Sequence, residues 1–430
     1  MNHPLNRLDD LARREFITRM AKTCLGVSLV PPAGLARALE TNTPKFASHV
    51  IYLYMRGGMS HLDTFDTKPD APAGYQGSTR TIKTKSDDLQ ISGYFPKLAD
   101  HGKKIAVVRS MHHTQGAHEQ GMYKVLTGYE ASTSMKHPAL GSWVARQVTQ
   151  GTSTLPAYIR LADLAGHPGS GFMDARFAPV PVLDASKGLE HTQLQQGDSM
   201  THLRKRTGLA EKLNSDFLKR FPMDGVKAHS DVFADAIKLM TSKDLDAFDI
   251  TQEKGRLVSD YGANYFGQGV LLARRLVERG TKFVEIELGG WDTHSNNFNT
   301  VEALARVVDD AVSTLLEDLE AHGLLESTLV VLTTEFGRSP KINGTGRDHH
   351  PIAFSSFIAG GGVKGGQAYG KTDETGTRVI ENPTTVLDFH ATIGALLGIS
   401  PHDLIPAGSG SFNIYGGTGA KRGVPIGPFV

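Results

Sequence analysis

An α/β fold, with a mostly parallel central sheet flanked by helices, is what this sequence predicts, on three observations. Short apolar runs rich in β-branched residues recur along the chain, among them Val50-Ile51-Tyr52-Leu53-Tyr54, Ile105-Ala106-Val107-Val108 and Leu329-Val330-Val331-Leu332, and Lys282–Leu288 reads as a further strand. Runs this short and this apolar are typical of buried parallel strands. Between the last two lies Val301–His322, amphipathic with Leu304, Val308, Ala311, Leu315 and Leu319 on one stripe, which makes a strand–helix–strand unit. Finally, several runs stop abruptly in loops crowded with Gly, Asp, Glu, His and Arg. In an open α/β sheet, ligands bind just beyond the carboxyl ends of strands.

The chain has 430 residues, 39% hydrophobic and 21% charged, which is a globular composition long enough for one large domain or two smaller ones. A net charge of +1 argues against a nucleic-acid-binding surface. The first residues read as a targeting segment. Arg13-Arg14 with the apolar Phe16-Ile17 behind it is a twin-arginine pattern, followed by an apolar stretch from Cys24 to Val30 and by Ala36-Arg37-Ala38. Residues 1–38 are therefore expected to engage the twin-arginine export machinery and to be cleaved after Ala38, leaving a periplasmic or otherwise exported protein. The apolar stretch is too short for a comfortable membrane span. The only cysteine is Cys24, so no disulfide framework holds the mature chain.

From residue 39 on, the expectation is one domain. Phe46–Met55 is its first strand and exits into Arg56-Gly57-Gly58-Met59-Ser60-His61-Leu62-Asp63. Pro69–Asp88 reads as a long loop. The strand Ile105–Val108 leads through His112, His113 and His118 into a helix ending at Leu126-Thr127-Gly128. A helix over His137–Val148 and a strand over Ala157–Leu161 follow. His202–Phe221, Ala228–Leu245 and Lys254–Arg279 carry helical periodicity and form a helical insertion over about residues 200–279. Phe354–Ala359 is a further strand and Thr384–Leu397 the last helix, with a glycine-rich loop from Gly408.

The chemistry concentrates at two strand exits. Gly289-Gly290-Trp291-Asp292-Thr293-His294 places Asp292 and His294 two apart, on one face of an extended segment. Thr334-Glu335-Phe336-Gly337-Arg338 ends the next strand, and its loop returns as Arg347-Asp348-His349-His350. Divalent metals take carboxylates, and zinc and its neighbours also take imidazole. Asp292, His294, Glu335 and His349 or His350 are thus a coherent metal-ligand set, zinc first, with manganese or calcium as alternatives. Arg338 and Arg347 suit the oxygens of a small anionic ester substrate, and Ser60, His61 and His113 are candidates for binding it.

The stretches GGMSHLDTFD, HEQGMYKVLTG, FGQGVLLARRLVERGTKFVEIELGGWDTHSNNF and TEFGRSPKINGTGRDHHP resemble an exported bacterial family of unknown function placed in the alkaline phosphatase/sulfatase superfamily. The resemblance covers nearly all of the mature chain. It implies a sulfatase-like fold, metals at the strand C-termini, and hydrolysis of phosphate or sulfate esters. Asp292 and His294 match the superfamily's Asp-x-x-x-His pair with shortened spacing, and Asn296 stands where the usual histidine would. Glu335 replaces the aspartate of Ser-Asp-His-Gly, and Phe336 replaces its histidine, which it cannot do as a ligand. His349 or His350 resembles the late histidine ligand. Counting back from Leu126-Thr127-Gly128 by the sulfatase spacing lands on His118, where a Ser, Thr or Cys nucleophile would stand. A histidine there can act as nucleophile or ligand, with Ser60, Ser110 and Thr114 as substitutes for the missing hydroxyl. Gly57-Gly58 replaces the superfamily's Asp-Gly, leaving His61, Asp63 or Asp66 to compensate. The alternative to a hydrolase is a degenerate member that binds an anion or an envelope partner.

Overall fold

The computed structural model describes residues 46–148, 153–190, 192, 198–221, 233–419 and 421–430. The expected export signal lies outside these residues. Eight strands form the main sheet: β1 His49–Met55, β2 Ile105–Met111, β3 Tyr158–Leu161, β4 Val180–Pro181, β5 Phe283–Leu288, β6 Thr328–Thr333, β7 Phe354–Gly360 and β8 Gln367–Tyr369. Their spatial order is β8-β2-β7-β6-β1-β5-β3-β4. Only β7 runs against its neighbours; the other pairings are parallel.

Both faces of the sheet are covered, which is why β1 and β6 are buried at almost every position and read as continuous apolar runs. Helices α1 His118–Thr127, α2 Leu140–Gln147 and α6 Val386–Leu396 pack on the face of Val50, Tyr52 and Val331. Helices α4 Tyr265–Glu278 and α5 Asn297–Ala321 pack on the face of Ile51, Leu53 and Leu332. Helix α3 is Met200–Arg220. None of the helices among the described residues is long and apolar enough to cross a membrane.

The β5–α5–β6 unit straddles β1. Met55 pairs with Leu288 and Tyr54 with Thr333, so the three strands end at one edge and release their loops side by side. Two local expectations differ. The periodic stretch Lys254–Arg279 is not one helix: it breaks at Gly262, whose φ of 96° is left-handed, and restarts behind Asn264, whose side chain accepts from Gly267 N at 3.0 Å. The tail expected as loop contains a three-stranded ladder of Ile405–Ala407, Gly410–Asn413 and Gly416–Gly417. Phe412 anchors it against Tyr129 and Phe172, contacts that no local pattern announces.

The interior sets a pH dependence. Burial holds both His61 and His390 at a pKa of about 4, below the ordinary 6.5. The unfolded chain therefore takes up protons between pH 6.5 and 4 that the folded chain refuses, and stability falls as pH falls through that window. The loss is on the order of 3 kcal/mol per histidine. Urea midpoints at pH 7 and pH 4.5 should differ accordingly. His390→Leu, which cannot titrate, should remove its share of the slope; equal slopes would contradict the assignment.

Candidate metal centre

At the shared strand edge, His118, Asp292 and His349 come together, each offering a ligand atom within 4.8 Å of the others. Asp292 lies in the extended loop after β5, with Trp291 and Thr293 buried on the opposite face. The same alternation brings in His294, whose Nε2 is 3.1 Å from Asp292 Oδ1 and 3.0 Å from His349 Nε2. His118 opens α1, and His349 arrives on a two-residue ladder in which it pairs with Arg338.

The outer nitrogen of each ring fixes its tautomer. His349 Nδ1 faces the carbonyl of Gly116 at 2.6 Å, and a carbonyl only accepts, so this nitrogen carries the proton. His118 Nδ1 is 2.8 Å from Glu335 Oε1, and His294 Nδ1 is 3.1 Å from Asp348 Oδ1. With a proton held on each Nδ1, the three Nε2 lone pairs point inward at a carboxylate that is itself only an acceptor. His118 Nε2 lies 3.2 Å from Asp292 Oδ2 yet is buried with no hydrogen bond. Ring nitrogens and carboxylate oxygens this close are held together by a proton or by a cation between them, and imidazoles oriented from outside by carboxylates and carbonyls are the usual arrangement around a metal. The donor set fits a divalent ion.

Electrostatics favour the anionic form of Asp292. Burial opposes its ionisation, but the hydrogen bond and charge of Arg338, with help from His118 and His349, outweigh this and hold it at about 2. Hydrogen bonding to the Glu335 carboxylate raises the pKa of His118. Glu335 does not join the cluster. It stands behind His118, where Oε1 also accepts from Gly57 N at 2.7 Å. Gly57 has a φ of 122°, and a Cβ there would meet Asp292 N at 2.4 Å, so only glycine lets β1 approach both partners.

The sequence reading set Ser60, His61, His113 and Arg347 against the substrate; the structure turns each of them inward. Ser60 Oγ donates to Asp63 Oδ2 at 2.6 Å, and His61 Nε2 donates to Gly376 O at 2.8 Å. His113 donates from Nε2 to Glu335 O at 2.5 Å and accepts from Gln115 N at Nδ1, and burial holds it at about 4. Arg347 is fully buried, with Nε 2.9 Å from Asp63 Oδ2 and its other nitrogens on the carbonyls of Tyr75, Ser339 and Pro340. His350, one residue along the ladder from His349, faces away: it donates to Thr377 O at 2.9 Å and stacks on His61. Arg338 is buried beside Asp292, with Nε on Gly58 O and Nη1 on Arg347 O. It tunes the carboxylate and presents no free edge. Sequence reasoning overlooked Asp348, the acceptor that orients His294; its signal was an acidic residue directly before the His-His pair.

A mostly parallel α/β sheet that gathers three imidazoles and a carboxylate at the carboxyl ends of its strands defines the class of protein. The chain belongs to DUF1501, a family of proteins of unknown function whose pattern matches residues 47–418. No curated protein matches it. Among solved structures it is similar to a sulfatase from Pseudoalteromonas sp., at 13% identity and TM-score 0.39, covering 86% of this chain and 71% of that one. It is also similar to the lipoteichoic acid synthase LtaP from Listeria monocytogenes, at 9% and 0.40, covering 84% and 76%. A phosphonate monoester hydrolase from Silicibacter pomeroyi matches at 10% and 0.34, covering 82% and 73%. Likenesses this distant carry no activity over, and the fold is read from the chain's own strand order.

Proposed function

We propose that this protein is an exported, divalent-metal-dependent hydrolase of small phosphate or sulfate esters. The observation that carries the reading is the convergence of three oriented Nε2 atoms on Asp292. Three imidazoles with one carboxylate favour zinc; manganese is accommodated, and calcium, which wants six or more oxygens, fits poorly. When bound, such an ion supplies Lewis acidity toward an ester oxygen and makes water a nucleophile near neutral pH.

The chain's own groups have narrower tasks. Glu335, Gly116 O and Asp348 keep the Nδ1 protons in place, so the Nε2 atoms remain donors. Arg338 keeps Asp292 ionised. His118 is then a ligand rather than a nucleophile, and water takes the place of the side-chain attack that the missing hydroxyl rules out. The twin-arginine segment would deliver the folded, loaded protein.

A second reading has its own support. The four clustered side chains, His118, Asp292, His294 and His349, include no hydroxyl or thiol, and both nearby arginines are committed to protein partners. A site that has kept its metal and lost turnover would bind an anionic group or an envelope partner. The test is elemental analysis of the full chain purified without chelators, followed by hydrolysis of p-nitrophenyl phosphate and p-nitrophenyl sulfate. About one equivalent of metal, reduced in His118→Ala and His349→Ala, with turnover that follows metal content, is the expected result. Metal without turnover of any ester moves the assignment to the binding reading. Wild-type protein free of metal overturns both.

A further inference from the structure

A cavity of about 290 Å³ opens between the C-terminal end of α1 and the first turn of α6, with His113 between it and Glu335. Gly128 makes the cleft possible: it ends α1 at a φ of 83°, and a Cβ there would meet Leu387 Cδ2 at 2.5 Å. Lys124, Lys421, Arg422 and His112 line the cavity against one carboxylate, Glu130. The other nearby acid, Asp388, is turned to backbone amides, accepting from Thr385 N at 2.9 Å and Val424 N at 2.8 Å.

Glu130 acts on Lys124 only at long range, and the cavity holds more positive than negative charge. Among the described residues the Nζ of neither Lys124 nor Lys421 makes a hydrogen bond or a close ion pair. Arg422 is fixed by Nη2 on Pro401 O at 2.6 Å and Asn413 Oδ1 at 2.9 Å, yet its buried Nε has no partner. Burial opposes the charge of Lys124, and folding has nevertheless kept it at the cavity wall. Concentrated positive charge in a concavity with apolar walls attracts and holds anions. Val386 and Leu387 provide the apolar part. The volume lies just below the range of small-molecule pockets, about 300 to 1,000 Å³, and is larger than a bare ion needs.

We infer that this cleft is a second ligand site, separate from the metal centre, that binds the oxyanion of a monosaccharide-sized phosphate, sulfate or carboxylate. Lys124, Lys421 and Arg422 hold the anionic oxygens, and the Val386–Leu387 wall covers the carbon skeleton. The inference does not depend on the metal reading.

Calorimetric titration of the full chain with glucose 6-phosphate, in low-salt buffer, tests it. Saturable binding is expected, weakened at least 10-fold in the Lys124→Gln/Lys421→Gln double variant and tightened severalfold in Glu130→Gln. With a chelator present throughout so that the metal centre takes up no ester, Asp292→Asn should bind within about twofold of wild type, since the metal centre is a different place. A parallel titration with inorganic phosphate separates the sources. Equal affinity means the free oxyanion is the ligand, and tighter binding of the sugar phosphate means an organic one; both support the site. Absence of saturation, unchanged binding in the double variant together with Glu130→Gln, or loss of binding in Asp292→Asn overturns it.

Discussion

Asp292→Asn is expected to weaken divalent-metal binding by more than about 100-fold while leaving the chain folded. The carboxylate is the shared partner of three ring nitrogens: His118 Nε2 lies 3.2 Å from Oδ2, and His294 and His349 Nε2 lie 3.1 and 3.3 Å from Oδ1. Asparagine keeps the shape but removes the charge that a cation needs. Its amide nitrogen can also donate to an imidazole lone pair, which stabilises the empty arrangement. The fold survives because Arg338 retains the carbonyls of Gly57, Gly58 and Arg347. Competition against a chelating zinc indicator measures the affinity. The melting temperature with and without zinc gives a second readout, since a ligand of the native state raises it by mass action. Glu335→Gln, one bond further out, is expected to lose about 10- to 100-fold. An Asp292→Asn protein that takes up zinc with wild-type stoichiometry and affinity would end the metal assignment.

Arg347→Met is expected to destabilise the fold by about 3–5 kcal/mol, without removing any metal ligand. Arg347 and Asp63 are both fully buried and form an ion pair at 2.9 Å. Ser60 Oγ and Asn297 Nδ2 complete the coordination of the carboxylate at 2.6 and 3.0 Å. Methionine fills similar space but leaves a buried carboxylate facing it, along with the backbone carbonyls of Tyr75, Ser339 and Pro340. These partners span three loops, so loosening is expected where the loops around the centre meet. Adding Asp63→Asn should recover part of the loss, as coupled neighbours do. Urea unfolding of the single and double variants measures it. A single variant within 1 kcal/mol of wild type would make this pair dispensable.

Much of the architecture was legible because it is written in local periodicity. The apolar run Leu329–Leu332 announces a strand covered on both faces, and the stripe from Leu304 to Leu319 announces the helix that returns the chain to the sheet. The i, i+2 spacing of Asp292 and His294 puts two donors on one face before any tertiary contact is known. The tail strands around Phe412 were not legible. They are short and glycine-rich, and they are held by aromatic contacts to residues far away in sequence.

The sequence by itself determined that this is an α/β chain whose polar residues collect at strand exits, because neighbours in sequence set both apolar period and loop composition. Only the tertiary structure decided which of those polar residues face one another. His349 and His350 are equivalent in the sequence, but strand alternation on a two-residue ladder turns one toward Asp292 and the other onto His61. Arg338 and Arg347 look alike, yet one tunes the candidate ligand and the other closes a buried ion pair. His118 meets Glu335 across 217 residues of chain. Such pairings depend on register and strand order, which act between segments rather than within them.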